Sequence, residues 1–318
     1  MWHNGRLVQW ERATVHVMAH GLHYGSSVFE GIRAYETPDG AAVFCLEPHV
    51  RRLFDSCRIF RMEIPYAPHQ IRDAILDTVA ANGHASCYIR PLVYRGAGSF
   101  SLDPRKSPVE VAILTIEWGR YLGTEALERG VDVMVSSWRR MAPSTFPAMG
   151  KIGGNYVNSQ LIAMEAVDNG YVEGIALDAA GNVSEGSGEN VFVVRDRTIL
   201  TPSPAHSILP GVTRNVAITL AHELGYEVRE QAIPREMLYL ADEIFFTGTA
   251  AEITPVRSVD RVPVGGGGRG PITEQIQRAF FDIVTGRVPD RHGWLTRIGG
   301  RRPAVDGEAN VQLPTDGA

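Results

Sequence analysis

The chain carries 31 basic side chains, and only two of them are lysine, Lys106 and Lys151. Lys106 sits in "DPRKSP", a charged, proline-bounded turn. Lys151 sits in "PAMGKIGGNYVNSQ", among apolar and glycine neighbours. Arginine stays protonated in proteins, whereas a desolvated lysine amine loses its proton and attacks carbonyls to form a Schiff base. A lysine kept in an arginine-using chain is therefore a candidate covalent residue. A plainer reading stays open: codon bias leaves few lysines, and a survivor needs no role.

A Schiff-base lysine most often serves pyridoxal phosphate, and such a site makes three demands. It needs a carboxylate against the pyridine nitrogen, which keeps the ring an electron sink. It needs anion donors for the phosphate, ideally at a helix N-terminus. It needs a donor to the ring's phenolic oxygen. Glu185 in "VSEGSGEN" answers the first. "LPGVTRN" answers the second, with Gly211, Val212 and Thr213 opening a helix whose dipole favours an anion. Thr249 in "TGTAAE" is a further phosphate donor, and Tyr156, five residues after Lys151, answers the third. Singly, each has an ordinary alternative as a turn residue, a plain cap or a core side chain.

The elements that must position these residues read as mixed α and β. Val50, Leu53, Phe54 and Cys57 recur at helical spacing, and "QIRDAILDTVAANG" is a second helix closed by Gly83. "SCYIRPLVYRG" and "PVEVAILTIEWG" read as strands, the latter buried on both faces. "GGNYVNSQLIAMEAVDNG" is a helix, and Val212, Val216, Leu220 and Leu224 form a stripe on another. "VPVGGGGRGP" lacks the lysine of a P-loop and reads as a mobile hairpin loop. The expected organisation is a small α/β domain over 1–122, an interdomain loop over 123–131, a large domain over 132–298 and a disordered tail over 299–318.

Composition excludes several classes. At 44% hydrophobic and 21% charged residues the chain is globular, and its net charge of -5 gives no nucleic-acid or membrane-surface footprint. Cys45, Cys57 and Cys87 form no CxxC pair, which argues against a disulfide framework or zinc and fits a reducing compartment. No signal-peptide pattern and no run of ~18 apolar residues is evident, so a cytoplasmic location is expected. His20 and His23 look like a metal pair, but no third ligand is evident; they read as structural, and no metal is expected.

Across residues 2 to about 298 the chain resembles class IV pyridoxal-phosphate aminotransferases, specifically the bacterial branched-chain amino-acid aminotransferases of fold type IV. The stretches that carry this are "HGLHYGSSVFEGIRAY", "SCYIRPLVYRG", "GKIGGNYVNSQL", "GIALDAAGNVSEGSGENVF", "ILPGVTR", "YLADEIFFTGTAAEITPVRSVD" and "QIQRAFFDIVTG". The resemblance implies a two-domain α/β fold with pyridoxal 5'-phosphate in the cleft. It implies Lys151 as the Schiff-base residue that also moves a proton between substrate and cofactor. Glu185 would face the pyridine nitrogen and Tyr156 the ring oxygen. Arg52, Val212, Thr213 and Thr249 would hold the phosphate, and Leu209 would pack on the ring.

An apolar branched substrate wants an aromatic pocket, for which Tyr24, Phe29, Trp118 and Tyr121 are candidates. Glutamate must enter the same pocket, so a cation is needed; Arg90, beside Tyr88, is that candidate. The resemblance agrees, and implies the substrate's α-carboxylate near Thr249 and Ala250, with Gly31 and Gly248 giving room. It implies Tyr24 and Leu102 reaching a neighbouring subunit's site, hence at least a homodimer, with homohexamers occurring among bacterial relatives. The implied reaction exchanges the amino group of L-leucine, L-isoleucine or L-valine with 2-oxoglutarate, giving L-glutamate by a ping-pong route. D-amino-acid aminotransferases, amine transaminases and an aminodeoxychorismate lyase share the fold and are the rivals. A non-catalytic binding protein would have lost Lys151 or Glu185, and both are present.

Overall fold

The computed structural model describes residues 1–117 and 123–299. The expected tail beyond residue 299 lies outside the described residues, as do Trp118 and Tyr121. The first half runs β1 (Trp2–His3), β2 (Arg6–Leu7), α1 (His20–Tyr24), β3 (Ser27–Phe29), β4 (Ile32–Thr37) and β5 (Gly40–Phe44). It continues through α2 (Leu46–Ile59), α3 (Pro68–Asn82), β6 (Cys87–Arg95) and β7 (Val109–Ile116). The second half opens with α4 (Gly123–Arg129), β8 (Val131–Val135), α5 (Tyr156–Asp168), β9 (Glu173–Leu177) and β10 (Val183–Gly186). Next come β11 (Asn190–Arg195), β12 (Thr198–Thr201), α6 (Val212–Glu223), β13 (Val228–Glu230) and α7 (Met237–Leu240). The last elements are β14 (Glu243–Gly248), β15 (Glu252–Val259), β16 (Val262–Pro263), α8 (Pro271–Val284) and β17 (Leu295–Arg297).

The first sheet is antiparallel, in the order β17-β5-β4-β6-β7-β1-β2, with β3 added beside β6. Helices α2 and α3 cover one face. Val50, Leu53 and Cys57 are buried there against Ile71, Ile75 and the strands. Gly83, at φ +70, stops α3 in the left-handed conformation that glycine adopts without strain.

The second sheet is mixed, in the order β10-β9-β8-β15-β14-β11-β12-β13. A further pairing, Glu185 with Asn190, joins β10 to β11 and closes six strands into a ring. Period-two alternation divides the side chains of β11 and β14. Val191, Val193, Ile244 and Phe246 fill one core. Phe192, Val194 and Phe245 turn outward to a second core, where α6 and α8 bring Val216, Leu220 and Phe280. Phe192 and Phe245 stack at 4.8 Å between centroids. Tyr35 and Phe44 of the first sheet join this same core and bind the two sheets into one body.

Three sequence expectations need correction. The interdomain loop expected over 123–131 is largely α4, with β8 starting at Val131. Buried Ala126 and Leu127 and the exposed Glu125–Arg129 pair, four residues apart, make that segment helical. The expected large domain over 132–298 does not keep to one sheet, because β17 pairs with β5 on the first. The glycine-rich stretch is not the hairpin loop. The hairpin of β15 and β16 turns at Asp260 and Arg261, both at positive φ, and the glycines then lead into α8. A Cβ at Gly265 would lie 2.1 Å from the Asp242 carbonyl oxygen, so close backbone approach explains that glycine. No helix among the described residues is long and apolar enough to cross a membrane.

Candidate active site

A cavity of about 420 Å³ opens between the sheets, and Lys151 lies on its wall. The Lys151 backbone is pinned from two sides. Its N–H donates to Ser56 Oγ on α2 at 3.0 Å, and its carbonyl accepts from Phe29 on β3 at 3.1 Å. The side chain is thereby aimed inward, and Nζ meets the Tyr156 hydroxyl at 2.6 Å. Tyr156 opens α5, one turn beyond Lys151. Phe29 and Tyr156 place their rings 4.9 and 5.0 Å from the same nitrogen. Burial first, then the charge of Arg52, lowers the Lys151 pKa to about 8, against the opposing pull of Glu30.

Glu185 sits at the seam of the ring, on β10. Its carboxylate pairs with Arg140 at 2.7 Å and accepts from the Leu209 N–H at 2.9 Å and Asn190 Nδ2 at 3.2 Å. Burial raises its pKa, while Arg140, Leu209 and Lys151 all favour the charged form. Asn190 also donates to the Leu209 carbonyl at 2.9 Å, so one side chain ties the seam to the segment entering α6.

That segment ends at Gly211, the N-cap of α6. No side chain caps this helix, and its first turn holds no acid. The first N–H groups of α6, with Val212 and Thr213, therefore face the cavity without a competing anion. Arg52 approaches the same point from α2. It gives two hydrogen bonds to Glu30, at 2.7 and 2.8 Å, and one to the Pro210 carbonyl at 3.0 Å. Of the five guanidinium N–H groups, two remain for a ligand. Burial works against ionised Glu30, but Arg52 and His49 outweigh it and hold that carboxyl well below the usual range.

On the opposite side, Arg90 donates to the Tyr88 hydroxyl at 3.0 Å and lies over the Phe29 ring. Its buried Nε has no partner. A Cβ at Gly31 would lie 2.0 Å from the Tyr88 oxygen, so only glycine leaves this pair room. Leu209, Gly248, Thr249 and Ala250 complete the wall. A buried amine of lowered pKa, the buried Glu185–Arg140 ion pair facing it and an uncapped helix start suit a flat, phosphorylated carbonyl ring.

Two expected residues stand elsewhere. Tyr24 is half-exposed and donates to the Phe100 carbonyl at 3.1 Å, and Leu102 is 81% exposed. Neither lines this cavity. Both ring nitrogens of His20 meet Ser26 Oγ and the Ser101 carbonyl, and His23 Nε2 meets the Val17 carbonyl. Sequence reading missed Arg140, Glu30 and Asn190. Glu30 and Asn190 sit inside stretches already singled out, and Arg140 in "WRRMAP" carries no local signal.

Comparison with known proteins follows the same direction. Residues 27–259 match the family model described as amino-transferase class IV. A branched-chain-amino-acid aminotransferase of Escherichia coli strain K12 is 51% identical over 94% of this chain and 97% of its own length. A crystal structure of the Escherichia coli branched-chain amino acid aminotransferase superposes with a TM-score of 0.92, covering 94% of this chain and 98% of the other. The T.th. branched-chain amino acid aminotransferase with pyridoxamine 5'-phosphate is 47% identical, with a TM-score of 0.91 and coverage of 94% and 98%. The same T.th. enzyme has been solved in complex with 4-methylvaleric acid, at 45% identity, a TM-score of 0.88 and the same coverage. A family model spanning most of the chain, and near-full-length relatives at about half identity, make this chain a member of the class IV aminotransferases.

Proposed function

We propose that the chain is a branched-chain-amino-acid aminotransferase that carries pyridoxal 5'-phosphate on Lys151. The observation that carries this is the buried Lys151 amine, its pKa lowered to about 8, hydrogen-bonded to Tyr156 and facing the Glu185–Arg140 pair. When bound, the cofactor supplies the electron sink that makes the substrate's Cα–H acidic.

The chain's own residues do the rest. Lys151 Nζ accepts the proton from Cα, and its lowered pKa raises the neutral fraction near pH 7 to about a tenth, from under about a thousandth for an ordinary lysine. Glu185 offers its carboxylate to the ring nitrogen, and Arg140 favours the charged form of that carboxylate against the upward push of burial. Tyr156 holds the ring oxygen. Arg52, the start of α6 at Val212 and Thr213, and Thr249 hold the phosphate, while Leu209 packs on the ring. Phe29 and Tyr88 bound an apolar side-chain pocket. Arg90 receives the distal carboxylate when L-glutamate replaces the branched substrate. With 2-oxoglutarate as acceptor, both half-reactions share one pocket, which gives ping-pong kinetics.

Tyr24 and Leu102, exposed on this chain, are proposed to complete the pocket of a partner copy in a homodimer. The two sheets, with their helices, are proposed to be the small and large domains. A cytoplasmic location accords with three buried free cysteines.

The test is a visible spectrum of the cofactor-loaded protein before and after L-leucine, and again with D-alanine. Conversion to the pyridoxamine spectrum with L-leucine alone is expected. Conversion with D-alanine alone overturns the substrate class. A Lys151→Arg protein is expected to lose turnover by at least about 10⁴-fold, since arginine neither bonds the carbonyl nor accepts the proton.

A further inference from the structure

The turn between β14 and β15 brings Thr249 and Ala250 to the cavity wall and closes where Gly248 pairs with Glu252. Glu252 has φ +55, in the left-handed region. Hairpins normally give such a position to glycine, asparagine or aspartate, because a longer side chain is strained there. Glu252 is also 3% exposed, so its carboxylate has left water and must be met by partners.

Partners come from the other sheet. The Tyr35 hydroxyl donates to Glu252 Oε1 at 3.0 Å, and Arg33 Nη1 stands 3.6 Å from the same oxygen. Both residues lie on β4, which begins at Ile32, directly after cavity-lining Gly31. The Arg33 guanidinium lies 5.3 Å from the Tyr35 ring centroid. On the far side of the turn, Thr254 Oγ1 donates to the Ala251 carbonyl at 2.6 Å. Among the described residues, the Thr249 and Ala250 N–H groups reach no backbone acceptor. A strained backbone persists where its surroundings over-determine it, and such positions gather at functional sites.

We propose that Glu252 is a positioning residue: tethered by Tyr35 and Arg33, it fixes the Thr249–Ala250 turn so that the two free N–H groups grip the substrate's α-carboxylate. This rests on reading that turn as the carboxylate seat of an aminotransferase. The tether crosses from one sheet to the other, so the seat is referenced to the strand that carries Gly31. A loosened tether costs substrate affinity and leaves the Lys151 chemistry intact.

The experiment uses cofactor-loaded wild type, Tyr35→Phe and Glu252→Gln. Tyr35→Phe removes one hydroxyl; Glu252→Gln keeps an acceptor for Tyr35 and removes the charge that Arg33 faces. 4-Methylvaleric acid, a branched carboxylate without the reacting amine, is titrated by visible absorption. L-leucine half-reactions give KM and the limiting rate, and a thermal melt checks the fold. Both variants are expected to bind 4-methylvalerate about tenfold more weakly and to raise the L-leucine KM alike. The limiting rate is expected to stay within about twofold. Glu252→Gly, which accepts φ +55 without strain, is expected to fold and to show the same loss.

Wild-type affinity in the variants, with a wild type that converts L-leucine, overturns the positioning role alone. So does a fall in limiting rate and cofactor retention with affinity unchanged, the mark of a merely structural residue. A wild type that neither binds 4-methylvalerate nor converts L-leucine overturns the functional reading together with this proposal.

Discussion

A lysine amine at 2.6 Å from a phenol, buried and close to two arginines, is poised to give up its proton. Loading the cofactor-free protein with pyridoxal phosphate needs the neutral amine. The loading rate is therefore expected to rise with pH through about 8 and to level above it. A stopped-flow absorbance series checks this, and a midpoint near 10.5, the ordinary value, would refute the burial argument. The stability linkage has the matching sign. Between about 8 and 10.5 the unfolded chain holds a proton that the cofactor-free fold does not, so this group makes that fold more stable as pH rises there. Lys151 and Glu185 were legible because their chemistry is rare: a lysine where arginine is the habit, an acid among glycines. Arg140 was not, because its pairing with Glu185, far along the chain, exists only once β8 to β10 have folded. Glu30 was not, because nothing local shows that a fully buried acid will aim Arg52 through two hydrogen bonds.

Element reading succeeded where period and punctuation agree. The stripe Val212, Val216 and Leu220 is buried on α6 as its spacing requires, and only Leu224, past the helix end, is exposed. It failed where a short segment is decided by distant contacts: α4 is helical because Ala126 and Leu127 find a core, not because seven residues have strong propensity. The start of α6 gives the prediction at this scale. A Cβ at Gly211 would lie 2.0 Å from Asn190 Oδ1. Gly211→Ala is therefore expected to displace Asn190, disturb Glu185 and weaken cofactor affinity at least about tenfold, with ~1–3 kcal/mol lost from stability. Equilibrium dialysis and a chemical melt check the two numbers; unchanged affinity would free Asn190 of any part in holding the site.

At the scale of the molecule, the mixed α and β class was legible, but the ring was not. Sequence reading finds strands, while closure depends on which strands meet. The local pair Glu185–Asn190 makes the seam, yet β8 pairs in parallel with β15, Val131 beside Val256. Bringing such distant segments together is slow and entropically costly. A chain truncated after residue 248 keeps Lys151, Tyr156, Glu185, Arg52 and α6. It is nevertheless expected to retain no pyridoxal phosphate after gel filtration, because β8 lacks the neighbour that holds it. Retention would mean the pocket forms without the closed ring.

The ring also sets a clock. A ribosome delivers Lys151 long before it delivers all of β15, whose strand ends at Val259. For that interval the nascent chain exposes a reactive amine with no finished pocket around it. Cofactor capture is thus a late event in the life of each molecule, and acquisition of colour reports that the strand made early has met its partner made late.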